Sequence, residues 1–377
     1  PARAAEKKGG TPLGEGLMRD SPFTGAEPRL QLTFRKQAIF QALAMFASVL
    51  AGRWLIAQTP DRFELGLRTA SIRFEPVKLR ADGFFPLRLA GAWAVSVDDR
   101  RFGGISALAL AGHELIALSD AGVVVRMPKP GSGATAQLSE LPDGPGNPSF
   151  KRYRDSEAIV RDPRGGWWVG FENRHSLWKY DSSFRRAIGK HGVPGGGWDV
   201  NEGIEGIAVG ADGLLLFPET AASLIVMKDS RFAEYPLEAS RDRVADAATL
   251  PDGRVIVLLR QPTLRGFRNT LAWLEPKKNR IAGRMSLGVG ALDNMEGLAA
   301  ERTATGTRLW LVSDNNFHRA QRTLLLALDL PAERQAAAAC FLTISRFSLR
   351  TLVESLSSLV FSNQLSRPPT CSTERSP

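Results

Sequence analysis

A short phrase recurs in this chain at a spacing of roughly fifty residues, the period of a stacked or circular repeat architecture. It reads acid, small residue, apolar strand, Gly-containing turn, second apolar strand, acid. The copies are Asp155-Ser156-Glu157-Ala158-Ile159 ending at Glu172, Glu205-Gly206-Ile207 ending at Glu219, Asp246-Ala247 ending at Arg260, and Glu296-Gly297-Leu298 ending at Asp314. A degenerate copy runs from Gly104-Ile105-Ser106 to Asp120. Each pairs two short apolar runs across a turn such as Ala211-Asp212-Gly213 or Pro251-Asp252-Gly253, a strong hairpin signal. Weaker strands follow at Ser176–Tyr180, Ser223–Met227 and Thr270–Leu274. Two clear strands and two weaker ones per repeat describe a propeller blade.

The expected fold is therefore all-β, a β-propeller over residues 61–331. Five repeats are readable. Leu87–Val97 before them and Thr323–Leu328 after them could add a closing blade. Six blades are expected, with five and seven left open.

The flanks differ from the body. Residues 1–34 are Gly/Pro-rich without periodicity and read as an over-extended start. Arg35-Lys36 then precedes an apolar run from Ala38 to Ala51, followed by Arg53 and Trp54-Leu55-Ile56-Ala57. A basic flank before such a run over 35–60 expects either a signal peptide or a single membrane anchor. The protein is thus expected to be exported, periplasmic or extracellular, or held at the inner membrane. Residues 332–377 carry polyalanine at Ala336–Ala339 and an apolar, Ser-rich stretch, read as a low-complexity or helical tail. Both cysteines, Cys340 and Cys371, fall in that tail, so the repeat body has no disulfide framework and no thiolate chemistry.

The net charge of +10 comes from basic residues scattered singly, with no nucleic-acid motif. A dispersed positive field suits an anionic small molecule as well as it suits a polyanion. No Gly-x-Ser-x-Gly elbow, phosphate-binding P-loop, dinucleotide fingerprint or His-Glu-x-x-His occurs, which argues against covalent serine and nucleotide-driven chemistry.

In a blade, the residues before strand one and after strand two meet on one face of the disc, around the channel. That expects one ring of Glu157, Glu205, Asp246 and Glu296. A second set holds Asp120, Glu172, Glu219, Arg260 and Asp314, with Glu202 and Asn315 beside it. Carboxylates crowded at low dielectric repel by several kcal/mol unless neutralised. A hard cation with oxygen ligands is the simple remedy, and calcium, with six to eight flexible ligands, suits such a ring. The metal-ligand candidates are therefore Glu157, Glu205, Asp246, Glu296, Asp120, Glu172, Glu219 and Asp314. These acids could instead accept hydrogen bonds from neighbouring blades. Arg260, Arg154, Arg174 and Lys151 are candidates for holding a substrate anion, Arg260 alternatively pairing an acid. His175 and His318 follow two of the acids and are candidate general acids or bases alongside Glu157, Glu205 and Glu296.

At these motifs the chain resembles the phytase-like family, described by an esterase-like activity of phytase. The resemblance spans about Phe102 to Pro331. It rests on Phe102-Gly103-Gly104-Ile105-Ser106, Asp155-Ser156-Glu157-Ala158-Ile159, Asn201-Glu202-Gly203-Ile204-Glu205-Gly206-Ile207, Asn294-Met295-Glu296-Gly297-Leu298 and Ser313-Asp314-Asn315-Asn316-Phe317 with Gln321-Arg322-Thr323. It implies a β-propeller, commonly exported by bacteria, with hydrolytic activity. Ala245-Asp246-Ala247-Ala248 departs from the Asp-Ala-Asp-Asp-Pro-Ala signature of propeller phytases. The expectation is a monomeric, calcium-dependent hydrolase of an anionic small-molecule ester, a phosphoester first, with no specific nucleic-acid partner. The alternative is a non-catalytic propeller that binds a ligand or protein on the same face.

Overall fold

The computed structural model describes residues 66–331 apart from 149, 195–197, 199–201, 239–241, 265, 290–291 and 319–320. The expected signal or anchor segment and the C-terminal tail lie outside the described residues. Among the described residues there is no α-helix, and so no helix long and apolar enough to cross a membrane.

Short apolar runs separated by tight turns give antiparallel hairpins, and these assemble into four-stranded groups. The first holds β3 (Ile105–Ala111), β4 (Glu114–Ser119), β5 (Val123–Pro128) and β6 (Thr135–Glu140). The second holds β7 (Ser156–Arg161), β8 (Trp167–Phe171), β9 (Ser176–Tyr180) and β10 (Ala187–Gly192). The third holds β11 (Ile204–Val209), β12 (Leu214–Pro218), β13 (Ser223–Lys228) and β14 (Arg231–Pro236). The fourth holds β15 (Arg243–Thr249), β16 (Val255–Thr263), β17 (Gly266–Glu275) and β18 (Arg280–Val289).

The fifth group bears on the count left open between five, six and seven. It takes β19 (Met295–Thr303), β20 (Gly306–Ser313) and β21 (Thr323–Leu330), and its outer strand is β2 (Arg88–Val97) from the other end of the repeat region. The two stretches expected to build a sixth blade are thus neighbours in one sheet, with Trp93 opposite Leu325. β1 (Arg68–Pro76) then pairs with both β2 and β6, joining the outer edges of the fifth and first groups into one nine-stranded sheet. The first strands contact one another in the cycle β3, β7, β11, β15, β19 and back to β3.

Each neighbouring pair of groups shares its own apolar core. Leu118 and Val124 of the first meet Trp167, Val169 and Phe171 of the second. Ala158 and Trp168 of the second meet Ile207, Leu216 and Met227 of the third. Val257 and Leu259 meet Phe217, Ile256 and Leu258 meet Leu309 and Leu311, and Trp310 and Val312 meet Leu115 and Val125. Inner strands packed on both faces read as continuous apolar runs rather than alternation, and β8 is buried throughout.

Candidate active site at the channel mouth

Every inner strand is interrupted at the same place. The pairing of β3 with β4 skips from Ile105 to Ala107, and the corresponding skips fall at Ser156/Ala158, Ile204/Gly206, Val244/Asp246 and Met295/Gly297. Such a bulge re-aims one side chain per strand. The bulged residues are therefore Ser106, Glu157, Glu205, Ala245 and Glu296, one per group. The next position is small in four groups, Ala107, Ala158, Gly206 and Gly297, because the neighbouring inner strand presses on it. A Cβ on Gly206 would lie 2.9 Å from the Ala247 nitrogen, and one on Gly297 would lie 2.8 Å from Leu108 Cβ.

This register corrects Asp246. It occupies the small-residue position, one place beyond the ring of Glu157, Glu205 and Glu296. Its carboxylate is fully buried and accepts the Ala247 and Leu298 backbone N–H groups at 2.7 and 2.6 Å, with the Leu108 N–H also bonding to it. Burial pushes its pKa well up against those hydrogen bonds. Asp246 is a brace between β15, β19 and β3, and its oxygens are already occupied.

The second set falls where the repeat places it. Asp120, Glu172, Glu219 and Asp314 directly follow Ser119, Phe171, Pro218 and Ser313, the last residues to pair with the inner strand, whereas Arg260, the counterpart in the fourth group, follows Leu259 and is itself paired with Arg243. The backbone N–H groups of Asp120, Glu172, Glu219 and Asp314 donate to the carbonyls of Gly104, Asp155, Gly203 and Asn294. These bonds fix how each side chain enters the mouth.

Cations cover only part of this rim. Lys151 bonds Asp120 at 2.7 Å and lies 3.5 Å from Asp155. Burial alone would lower the Lys151 pKa, but Asp120 and Asp155 outweigh it and raise it. On the other side, Arg260 bonds Glu296 and, at 2.8 Å, the Asn294 side-chain oxygen, with Glu219 at 3.8 Å. Arg243 holds Glu219 at 2.7 Å. Arg260 therefore pairs acids, the alternative left open for it.

Between these cations lies a sector that Lys151 reaches only at its Asp155 edge. Carboxylate oxygens of Asp155, Glu157 and Glu172 lie within 4.8 Å of one another. Asn173 donates to Asp155 at 2.9 Å and to Glu172 at 3.3 Å, tying the two together. Glu205, 5% exposed, stands beside Glu157, and no hydrogen-bond donor among the described residues reaches either of these two carboxylates. Burial is the leading cause that raises the two carboxylates without a donor, Glu157 well up with help from Glu205 and Asp155, Glu205 well up with help from Glu296 and Glu219. Burial and Asp155 push Glu172 to about 8, burial and Asp120 push Asp314 to about 8, and burial against the pull of Arg260 leaves Glu296 at about 7.

A loop with two consecutive left-handed residues, Asn316 and Phe317, closes the rim at the fifth group. Asp314 accepts the Asn316 N–H at 2.7 Å, and Asn315 accepts those of Phe317 and Gly104 at 3.1 and 3.0 Å. Phe317 packs so tightly on Gly103-Gly104 that a Cβ on Gly104 would lie 2.3 Å from its ring and 2.4 Å from Asp120.

The Phytase-like family model, described as esterase-like activity of phytase, matches residues 100–317, more than half of the chain. The chain belongs to the phytase-like family. No curated protein matches it by sequence. Among solved structures, the phytase-like chain is similar to the PQQ-bound aldose sugar dehydrogenase of Streptomyces coelicolor at 15% identity and a TM-score of 0.42, over 70% of this chain and 98% of that one. It is also similar to a Myxococcus xanthus glutaminyl cyclase, at 10% identity and TM-score 0.40 over 61% and 92% of the chains. A third likeness is to virginiamycin B lyase of Staphylococcus aureus, at 11% identity and TM-score 0.39 over 70% and 100%.

Within the phytase-like domain, the remaining expected site residues divide. Arg154 is a correction: it is 5% exposed, packs against Gly144 and donates to the Pro145 carbonyl at 3.3 Å. Burial lowers its pKa, and its role is to hold the 141–147 loop. His175, at φ 37°, stacks edge-on against Trp198 at 5.4 Å, and its buried Nδ1 has no hydrogen-bond partner among the described residues. His318 closes the Asn315 turn, its N–H donating to the Asn315 carbonyl. Arg174 lies on the rim over Tyr153. The residues missed by the sequence reading are Asp155, Asn173, Arg243 and Asn294. Asp155 was visible as the first letter of its repeat, but the counterpart positions are Gly104, Gly203, Arg243 and Asn294, so no recurring acid marked it.

Proposed function

We propose that this protein is an exported, metal-dependent ester hydrolase that acts at the channel mouth, on a phosphoester first. The carrying observation is the acid sector: three carboxylates from β7, its preceding residue and the end of β8, gathered within 4.8 Å with no cation of their own except Lys151 at one edge. Calcium, which takes six to eight oxygens in flexible geometry, suits a set of carboxylates drawn from two strands better than magnesium, which demands a near-ideal octahedron. The donor set fits: hard oxygens, a preorganising Asn173, and crowded carboxylates whose mutual repulsion a bound cation would relieve. Asp155, Glu157 and Glu172 would hold the ion. When bound, it would supply Lewis acidity and lower the pKa of a coordinated water.

The chain's own groups have separable tasks. Glu205, buried and with its pKa raised well above the ordinary carboxylate range beside Glu157, is disposed to carry a proton, which suits a general acid or base. Arg260 neutralises Glu296, so the fifth group does not add its full charge to the repulsion of an incoming anion. The apolar run after Arg35-Lys36 supports export.

The test is a thermal melt with millimolar calcium and with chelator, followed by turnover of phosphoesters and carboxyl esters. A site filled to a hundred times its Kd stabilises by about 2.7 kcal/mol. Calcium should raise Tm by several degrees, and Glu157→Gln should remove both that rise and turnover. A calcium rise without turnover would favour the binding propeller; neither would refute the metal site.

A further inference from the structure

One hairpin runs on past the rim at which its counterparts turn back. β4 and β5 are joined by residues 120–122, β8 and β9 by 172–175, and β12 and β13 by 219–222, so in these groups the chain turns as soon as its rim acid is placed. β16 and β17 continue beyond Arg260 and Asn269 through three further pairs, Gln261 with Arg268, Pro262 with Phe267 and Thr263 with Gly266. At about 3.4 Å per residue this arm stands roughly 10 Å clear of the rim. Its root is fixed, because Arg260 bonds Glu296 and Asn294 and its guanidinium carbon lies 5.9 Å from the Phe267 ring centre. Its end is fixed too. The Thr263 hydroxyl donates to the Gly266 carbonyl at 2.7 Å, and Arg268 donates to the Gln261 side chain at 3.2 Å.

At the tip Leu264 is fully exposed, more so than any other large apolar side chain among the described residues. Arg268 is exposed on the same arm, and Arg152, Arg174 and Arg322 are exposed around the same rim. Two further exposed apolar side chains border the mouth: Phe150, beside the Lys151 that bonds Asp120, and Leu67, beside the Gly66 carbonyl that Arg101 holds. These are separate points on different groups. A folded protein partner needs about 800 Å² of matched surface on each side, which isolated points do not offer. A lipid surface needs no matched shape, since it takes a single leucine below the headgroups while arginines remain at the anionic headgroup level. The mouth acids oppose such a contact little, because Glu205, Glu219, Glu296 and Asp314 are buried while the tip stands about one Debye length above them. The net charge of +10 favours the same partner.

We propose that the β16–β17 hairpin is an interfacial anchor that seats the mouth face on an anionic lipid surface, with Leu264 inserted and Arg268 at the headgroups. The anchor does not rest on the hydrolase reading above.

The test is hydrogen exchange read by mass spectrometry on the full chain, with vesicles of phosphatidylcholine alone and of phosphatidylcholine mixed equally with phosphatidylglycerol. On the mixed vesicles the amides of the hairpin tip should exchange at least about fivefold more slowly, while the β3–β4 turn around His113, at the other end of the disc, should not change. Leu264→Asp should erase the tip protection and Arg268→Glu should reduce it, both with an unchanged circular-dichroism melt. Vesicle binding without tip protection would overturn the anchor, since the apolar run of residues 38–57 could carry the chain to lipid without the hairpin. Equal tip protection on both kinds of vesicle, or in Leu264→Asp, would overturn it as well. So would protection that grows with protein concentration in the absence of vesicles, which would make the tip a contact between copies. Glu157→Gln should leave the protection unchanged, so a lack of ester turnover would sink the hydrolase reading and leave the anchor standing.

Discussion

Without metal, this domain should lose stability as pH rises, opposite to the usual behaviour of a protein rich in salt-bridged carboxylates. Asp314 shows why. It is 8% exposed, and burial together with Asp120 and Glu296 lifts its pKa from 3.8 to about 8. A raised folded pKa means the native state keeps a proton that the unfolded chain has already released. Stability therefore falls from the unfolded value upward, through the window from about pH 4 to about pH 8, and levels off above it. At 1.36 kcal/mol per pH unit the ceiling for this group is about 6 kcal/mol. Relaxation and coupling to Asp120 and Glu296 reduce that, and a loss of at least about 2 kcal/mol is expected, or a fall in Tm of about 4–8 °C for a domain of this size. Asp314→Asn is a clean probe, because an amide oxygen can still accept the Asn316 N–H. Calorimetric melts in chelator should show the variant matching wild type at pH 4.5 and exceeding it by several degrees at pH 8. A wild-type Tm that rises between those values, or an unchanged slope in the variant, would refute the reasoning.

Asp246→Ala should destabilise the domain by about 2–4 kcal/mol in denaturant titration, since it strands buried N–H groups at the point where three inner strands meet. Gly203→Ala should weaken calcium stabilisation more than it lowers the metal-free Tm, because the new Cβ would sit 2.9 Å from Glu172 Cα and Cγ and move that carboxylate. Arg154→Ala should lower Tm by several degrees and leave the calcium increment unchanged, as expected for a buried loop brace rather than a ligand contact.

The legible part of the site was the set that follows the second strand. Asp120, Glu172, Glu219, Arg260 and Asp314 each come one residue after a long apolar run, so counting along the run places them. The other ring was misread at one member, since a bulge shifts the register by one residue and leaves no composition of its own. Ala245 holds the Glu position in the fourth group, and Asp246 merely resembles it along the sequence. Arg154 was misplaced because a charged residue in a loop reads as solvated, whereas the 141–147 segment folds over it. The choice among five, six and seven blades stayed open in the sequence because two strands more than two hundred residues apart lie in one sheet, and strand pattern carries no information about which distant partner is chosen. The phytase-like resemblance rested on the same Gly- and acid-bearing corners that the bulges organise.

The joining of β2 to β21, with β1 clasping β2 to β6, has a mechanical meaning. In a ring made from one continuous chain the natural weak seam is where first and last repeats meet, yet here that seam alone is sewn edge to edge by a bridging strand. The other junctions rely on side-chain packing and a few cross-links such as Ser106 to the Ser156 carbonyl or Thr249 to Val209. A cleft of about 350 Å³ already parts the second and third groups at the end away from the acids, between Asp162, Trp168, Gly213 and Met227. Pulled or heated, the ring should open there first, as a bracelet parts at a worn link rather than at its clasp. That junction also flanks Glu157 and Glu205, so a joint without a bridging strand and the acid-rich sector of the rim share one boundary.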